Sequence, residues 1–317
     1  MLDSGVAVLS EFELIARYFD RPAPSAALGV GDDAALVCPR AGAQLAVSTD
    51  LLLEGRHFRA GADPRKLGHK SLAVNLSDMA AMGATPRWAT LAIALPAADE
   101  AWLAAFADGL FALAGRYGTE LIGGDTSCGP LAICITILGE VPSGGALLRS
   151  GAHPGDDIWV SGELGSAALA LVHPGIAAAA QRLDQPEPRV ALGEKLRGVA
   201  SAAIDVSDGF AQDLGHILER SRCGARVDYD RLPRAAVWAQ LRDPILERRC
   251  VLGGGDDYEL VFTAPQEARG ALETLAPDLG LALARVGSIV RGDATLALHD
   301  AAGRPMIAEH GFDHFAR

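Results

Sequence analysis

Apolar residues change their spacing repeatedly along the chain, and the changes mark out its elements. Phe12, Ile15, Ala16 and Phe19 recur at helical intervals behind a Ser10-x-x-Glu13 capping pair. QLAVST (44–49) reads as a strand ending at Asp50. Asp63-Pro64 opens a helix predicted to reach about Met82. Trp88–Leu95 reads as a strand, and Asp99 starts an apolar helix that stops near Gly118. ELI is a short strand running into GGDTS, and LAICITILGEV (131–141) is another.

Between Pro142 and Gly155 the composition shifts to Gly, Ser and Pro, which predicts a boundary between domains 1–148 and 149–317. Alternation then resumes. DIWVSG, the end of AAIDVSDG, ARVDYDRLP, ELVFTA and ALARVGSIV read as strands. Residues 164–172 and the Ala-rich run 177–180 read as helical, and 209–222 as a helix closed by Gly224. Both halves mix helix and strand, so the expected fold class is α/β in two domains. LGVGDDAALV (28–37) echoes LGGGDDYELV (252–261), and NLSDMAAMG (75–83) echoes DVSDGFAQDLG (205–215). The two signals come in reversed order, unlike a tandem repeat.

Composition narrows the function. The 317 residues carry a net charge of −12, which argues against a nucleic-acid surface. Phosphate ligands stay open, because acids reach phosphate through a divalent cation. Five cysteines without CxxC spacing suggest reduced thiols and a cytoplasmic setting. The opening segment has no signal-peptide pattern, and no stretch is apolar for long enough to span a membrane.

Acids collect at predicted strand and loop ends: Asp32-Asp33, Asp50, Asp125, Asp205, Asp208 and Asp256-Asp257. Apolar residues follow both Asp-Asp pairs at once, so neither reads as a solvated charge run. Ser71, Asn75 and Asp78 form a polar stripe on an otherwise apolar helix, and a hydrated metal would satisfy it. Taken singly, each acid could equally be a turn or N-cap residue. Together they suit Mg²⁺, which takes hard oxygen ligands beside substrate phosphates. EF-hand and zinc spacings are absent, as are a P-loop and a GxSxG elbow. Gly29-x-Gly31-x-x-Ala34 matches a dinucleotide fingerprint only formally, since Asp32 and Asp33 stand where a pyrophosphate would approach.

GVGDDAA, VSTD followed by EGRHF, NLSDMAAMGA, LIGGDT, LLRSGAHPGD, IDVSDG, GGDDYEL and GFDHF occur in that order. Together they resemble the bacterial thiamine-monophosphate kinase family of the aminoimidazole-ribonucleotide-synthetase-like (PurM-like) superfamily. The resemblance implies two α/β domains, a homodimer paired through the N-terminal domains, and direct γ-phosphoryl transfer from ATP to thiamine monophosphate with several Mg²⁺ ions. It implies that Asp33, Ser48, Thr49, Asp50, Asp78, Asp125, Asp205 and Asp208 hold Mg²⁺. Gly124, Asp125, Arg149 and Ser207 would contact ATP, and His57, Asp256 and Phe312 the thiamine substrate. Asp33, Asp50, Asp78, Asp125 and Asp205, through the metal, and Arg149 would carry the chemistry. Asp256 stands where the family commonly has Glu, and Phe312 where Tyr or Trp is frequent. Two alternatives are another PurM-like ATP user, such as a selenophosphate-synthetase-like enzyme or an amidine-forming synthetase, and a non-catalytic nucleotide-binding relative. The earliest cysteine, Cys38, follows the acidic loop, which disfavours the selenophosphate reading.

Overall fold

A computed structural model describes residues 10–308 together with Gly311 and Phe312. The first residues of the segment read for a signal peptide, and the last three of GFDHF, lie outside the described residues. The chain divides into two compact units, Met1–Asn75 with Pro86–Glu140, and Leu76–Thr85 with Val141–Arg317.

In the first unit, α1 (Glu11–Leu14) begins on the reciprocal Ser10–Glu13 pair and continues as a π-helical turn, Ile15–Phe19. β1 (Ala26–Leu28) and β2 (Leu36–Val37) form a short antiparallel ribbon around the GVGDDAA loop. β3 (Ala43–Leu53), β4 (Thr85–Leu95), β5 (Glu120–Cys128) and β6 (Ala132–Pro142) make a sheet in the order β3-β6-β4-β5. β3 therefore runs past Asp50, and β5 continues through GGDTSC rather than stopping at ELI. The glycines do not break β5, because β4 lies parallel beside it and Leu91 pairs with Gly124. A Cβ on Gly124 (φ 151°) would collide with the Leu91 carbonyl.

α2 (Pro64–Ala81) starts on Asp63, whose carboxylate accepts the Arg65 N–H at 2.9 Å. α3 (Glu100–Tyr117) starts on Asp99 and ends at Gly118 in the left-handed region. The two helices meet through reciprocal glycines. A Cβ on Gly68 would strike the Phe106 carbonyl, and one on Gly109 the Arg65 carbonyl.

The second unit holds β7 (Asp157–Ser161), α4 (Ser166–Val172), α5 (Ala177–Asp184), α6 (Val190–Leu196), β8 (Ala202–Asp205), α7 (Phe210–Ser221) and β9 (Gly224–Asp228). It continues with α8 (Val237–Leu241), α9 (Pro244–Gly253), β10 (Leu260–Ala264), α10 (Arg269–Asp278), β11 (Leu283–Val290), β12 (Leu296–His299) and β13 (Pro305–Met306). Its sheet runs β13-β12-β9-β11-β7-β10-β8, antiparallel except between β12 and β9. Arg222 (φ 54°), not Gly224, closes α7, and Gly224 opens β9. Ile158, Val160, Ile204, Val261 and Val286 on one sheet face pack with Phe210, Leu214 and Ile217 of α7. Leu260 pairs with Asp205, so the loop leaving β8 and the loop entering β10 emerge at the same end of the sheet.

Gly109→Ala should destabilise the protein by about 1–3 kcal/mol through overpacking of the helix crossing. Chemical denaturation measures this, and an unchanged midpoint would show that the crossing yields freely.

Candidate active site

Two motifs far apart in sequence meet at that end of the sheet. The Val206 N–H donates to the Glu259 carbonyl at 2.8 Å. The Asp256 and Tyr258 N–H groups donate to the Ser207 and Val206 carbonyls at 2.9 Å each. The approach is close: a Cβ on Gly255 would collide with the Ser207 carbonyl, and one on Gly209 (φ 124°) with Gly253. Asp256 (φ 66°) and Tyr258 (φ 50°) both take left-handed backbone, a strained choice for non-glycine residues. The Tyr258 hydroxyl donates to Asp256 Oδ1 at 3.1 Å.

The DVSDG loop is fixed from below by Asp213 of α7. Its Oδ2 accepts the N–H groups of Ser207, Asp208 and Gly209 at 3.1, 3.0 and 3.0 Å. Burial, then the neighbouring Asp208 charge, push the Asp213 carboxyl up to about 7 against those three donors. The Asp208 carbonyl accepts the Phe312 N–H at 2.9 Å. Gln212 Nε2 donates to the Phe312 carbonyl at 3.1 Å and to Asp208 Oδ2 at 3.3 Å. Asp205 is buried, and its Oδ2 accepts the Ser77 hydroxyl at 2.7 Å. Asp78 follows Ser77 on α2.

The other loop stands on buried charge. Glu259 is fully buried and accepts from Arg182, Arg189 and Ser161, with Arg189 Nε and Ser161 Oγ at 2.6 Å each. Burial alone would raise its carboxyl, but Arg189 and Arg182 hold it below the ordinary value. A Cβ on Gly162 (φ 56°) would collide with that carboxylate. Asp257 Oδ2 accepts the Gly165 N–H at 2.7 Å at the start of α4, and burial raises its carboxyl well above the usual range.

The structure thus brings Asp205, Ser207, Asp208, Asp256 and Phe312 into one neighbourhood of the second unit, with Ser77 tying in the Asp78 segment. Arg149 enters that unit beside β8, where the Leu148 carbonyl accepts the Ala203 N–H at 3.0 Å, two residues before Asp205. Its carbonyl accepts the Ser221 hydroxyl at 3.1 Å, at the far end of a 12-residue helix from Asp208.

In the first unit, Asp32 and Asp33 are both exposed, contrary to the expectation from their apolar followers. Those followers form only the two-residue strand β2, whose Leu36 is itself 59% exposed. Asp32 Oδ1 accepts the Asp33 N–H at 2.9 Å, making it the turn residue of the pair. Ser48 and Asp50 share the β3 face of buried Ala46 and Leu52. Thr49 lies on the other face, hydrogen-bonded to Thr136 at 2.9 Å between hydroxyls. Asp125 is exposed on β5 beside Gly124, with the Ser127 hydroxyl donating to it at 3.1 Å. His57 Nδ1 accepts the Leu53 N–H at 2.9 Å, which leaves the proton of the neutral ring on Nε2. The helix stripe needs no metal for most of its length. Ser71 donates to the Leu67 carbonyl and Asn75 Nδ2 to the Ser71 carbonyl, and only Asn75 Oδ1 stays buried without a partner. Among the described residues, no group of three His, Cys, Asp or Glu is arranged to hold a metal.

Comparison with known proteins adds to this geometry. Residues 31–141 match the family model of the AIR synthase related protein N-terminal domain, and 153–298 that of the C-terminal domain. The thiamine-monophosphate kinase of Salmonella typhimurium is 47% identical over 96% of this chain and 98% of its own. The chain belongs to the thiamine-monophosphate kinase family. The crystal structure of the Stenotrophomonas maltophilia thiamine-monophosphate kinase shares 48% identity at a TM-score of 0.83, covering 92% of this chain and 95% of that one. AaThiL complexed with AMPPCP and TMP matches at 27% identity and a TM-score of 0.76, covering 88% of this chain and 89% of that one. The fold is accordingly the mixed α/β, two-domain PurM-like fold of this kinase family.

Sequence reasoning missed Ser77, Asp213 and the Arg182–Glu259–Arg189 group. Asp213 had a readable signal, an acid in the first turn of a helix entered through glycine. The others depend on distant partners.

Because the Glu259 carboxyl sits below its ordinary value of 4.5, the native state releases this proton more readily than the unfolded chain. Its stabilisation is present above the unfolded value and lost as pH falls through the lower, folded one. Glu259→Gln should therefore lower Tm at neutral pH and flatten its decline on the acid side, below the ordinary value of 4.5. An acid-side Tm profile matching the parent would exclude Glu259 as a source of that decline.

Proposed function

We propose that this chain transfers the γ-phosphoryl group of ATP to thiamine monophosphate, giving thiamine diphosphate and ADP. The carrying observation is 47% identity to a thiamine-monophosphate kinase across 96% of the chain. The meeting of the DVSDG and GGGDDYE loops and a relative complexed with AMPPCP and TMP support it. A phosphate oxygen of the acceptor attacks the γ-phosphorus, the bond from that phosphorus to the β-bridging oxygen breaks, and ADP leaves with the electron pair. The acceptor phosphate is already largely ionised at neutral pH, so this reading needs no protein general base. Anion meets anion, and catalysis becomes positioning and charge neutralisation.

The donor chemistry fits a hard divalent cation, being carboxylate and hydroxyl oxygen throughout. In this reading Asp33, Ser48, Thr49, Asp50, Asp78, Asp125, Asp205 and Asp208 hold Mg²⁺. Thr49 would act through its main chain, since its hydroxyl is engaged with Thr136. Mg²⁺ held there would supply the positive charge that offsets the phosphates. Gly124, Asp125, Arg149 and Ser207 bind ATP, with Arg149 supplying a fixed cation. His57 and Asp256 contact the substrate, and Phe312 packs on its ring. Tethering of Phe312 to Asp208 supports one anchor for both substrate and metal sides.

Homodimer formation belongs to the same proposal. β3 is an edge strand, and one of its faces carries exposed Leu45, Val47, Leu51 and Leu53, with Val47 at 60%. The functional division into 1–148 and 149–317 and a cytoplasmic setting complete it. No helix among the described residues is long and apolar enough to cross a membrane.

Purified protein with ATP, Mg²⁺ and thiamine monophosphate should form thiamine diphosphate. No product, beside an active family enzyme, would overturn the proposal. Asp78→Asn should lower kcat by about 100-fold or more while leaving Tm near the parent value. Near-normal turnover in that variant would remove Asp78 from the metal set.

A further inference from the structure

A cavity of about 460 Å³ opens in the second unit, lined by β9, β11, β12 and the start of α10. It lies at the other end of the sheet from the DVSDG and GGGDDYE loops. The paired residues Asp157 and Ser288 line it, whereas Asp205 and Leu260 mark the loop end.

Its lining carries four arginines against three aspartates, in a chain that is acidic overall. The aspartates there are already engaged. Asp157 is held by Arg269 at 2.8 Å and Arg285 at 3.5 Å, Asp228 by Arg231 at 3.1 Å, and Asp300 by Arg304 at 2.7 Å. Arg226 remains, with no ion pair among the described residues, on the sheet face opposite buried Ala225 and Val227. Ser288 pairs with Arg226 from β11. From β12, Ala297 pairs with Arg226 and His299 lies two residues further on, on the same face. His299 Nδ1 is buried without a hydrogen-bond partner. The Arg226 guanidinium fork therefore lines the cavity beside the His299 ring, with hydrogen-bonding capacity to spare.

We propose that this cavity binds a small, non-aromatic anion bearing phosphate or carboxylate groups, gripped by Arg226 and met by His299 and Ser288. The guanidinium suits bidentate oxyanions. The volume falls in the small-molecule range and exceeds what a single inorganic phosphate fills. Among the described residues no Phe, Tyr or Trp lines the cavity, so they offer no stacking platform for a nucleobase or thiamine ring.

Calorimetry on the whole protein in Mg²⁺-free buffer tests this, titrating inorganic pyrophosphate and citrate separately. Each titration is repeated with AMPPCP present and with Arg226→Ala. The expected result is saturable binding that survives AMPPCP and weakens about tenfold or more in Arg226→Ala. The anion should also raise Tm in the parent and not in the variant. Tighter binding of pyrophosphate assigns a phosphorylated ligand, and of citrate a carboxylate. Arg226→Ala should retain the parent kinase rate, because Arg226 stands outside the proposed active site. No saturable binding, binding undiminished in Arg226→Ala, or complete displacement by AMPPCP would overturn the proposal.

Discussion

Three backbone N–H groups converge on one carboxylate, that of Asp213, and the candidate site is built outward from that point. The bonds fix Ser207, Asp208 and Gly209 at the mouth of α7. Once those are fixed, the Asp208 carbonyl has a set position for Phe312, and the Ser207 carbonyl for Asp256. The facing loop is held by an equally buried device, Glu259 between two arginines. Each loop thus carries its half-buried polar groups on a foundation of buried, hydrogen-bonded carboxylate. Unpaired, either foundation would be strongly unfavourable.

Much of the architecture was legible because local rules announce it. Ser10, Asp63 and Asp99 open their helices, and Gly118 closes one, each through a side-chain or backbone preference written in a few residues. The strand read as ELI was too short, since the strand character of GGDTSC comes from β4 lying alongside. The end of α7 was misplaced because Arg222 accepts the left-handed backbone normally left to glycine. In the site, repeated Gly–Asp pairs exposed the acids. Their partners stayed hidden because such contacts bridge long stretches of chain, 128 residues between Ser77 and Asp205.

The echo between LGVGDDAALV and LGGGDDYELV shows how little a shared string fixes by itself. The first copy tips a two-stranded ribbon, and both of its acids face solvent. The second is pressed against the β8–α7 loop, with Asp257 buried as a helix cap and Asp256 forced into left-handed backbone. What differs is the scaffold behind each loop, a two-residue strand in one case and a buried strand of a large sheet in the other.

Helix α2 begins in one unit and ends in the other, because Leu76–Thr85 group with the second half of the chain. Their partners are there: Leu147 donates to the Met82 carbonyl, Thr85 to Glu194, and Gly193 sits against Ala80. The polypeptide therefore crosses between units three times, after Asn75, Thr85 and Glu140. No single cut separates the two bodies cleanly. A proteolytic fragment ending at Glu140 would carry away ten residues whose apolar side chains had lost their packing, and the remainder would be left with a groove where they had been.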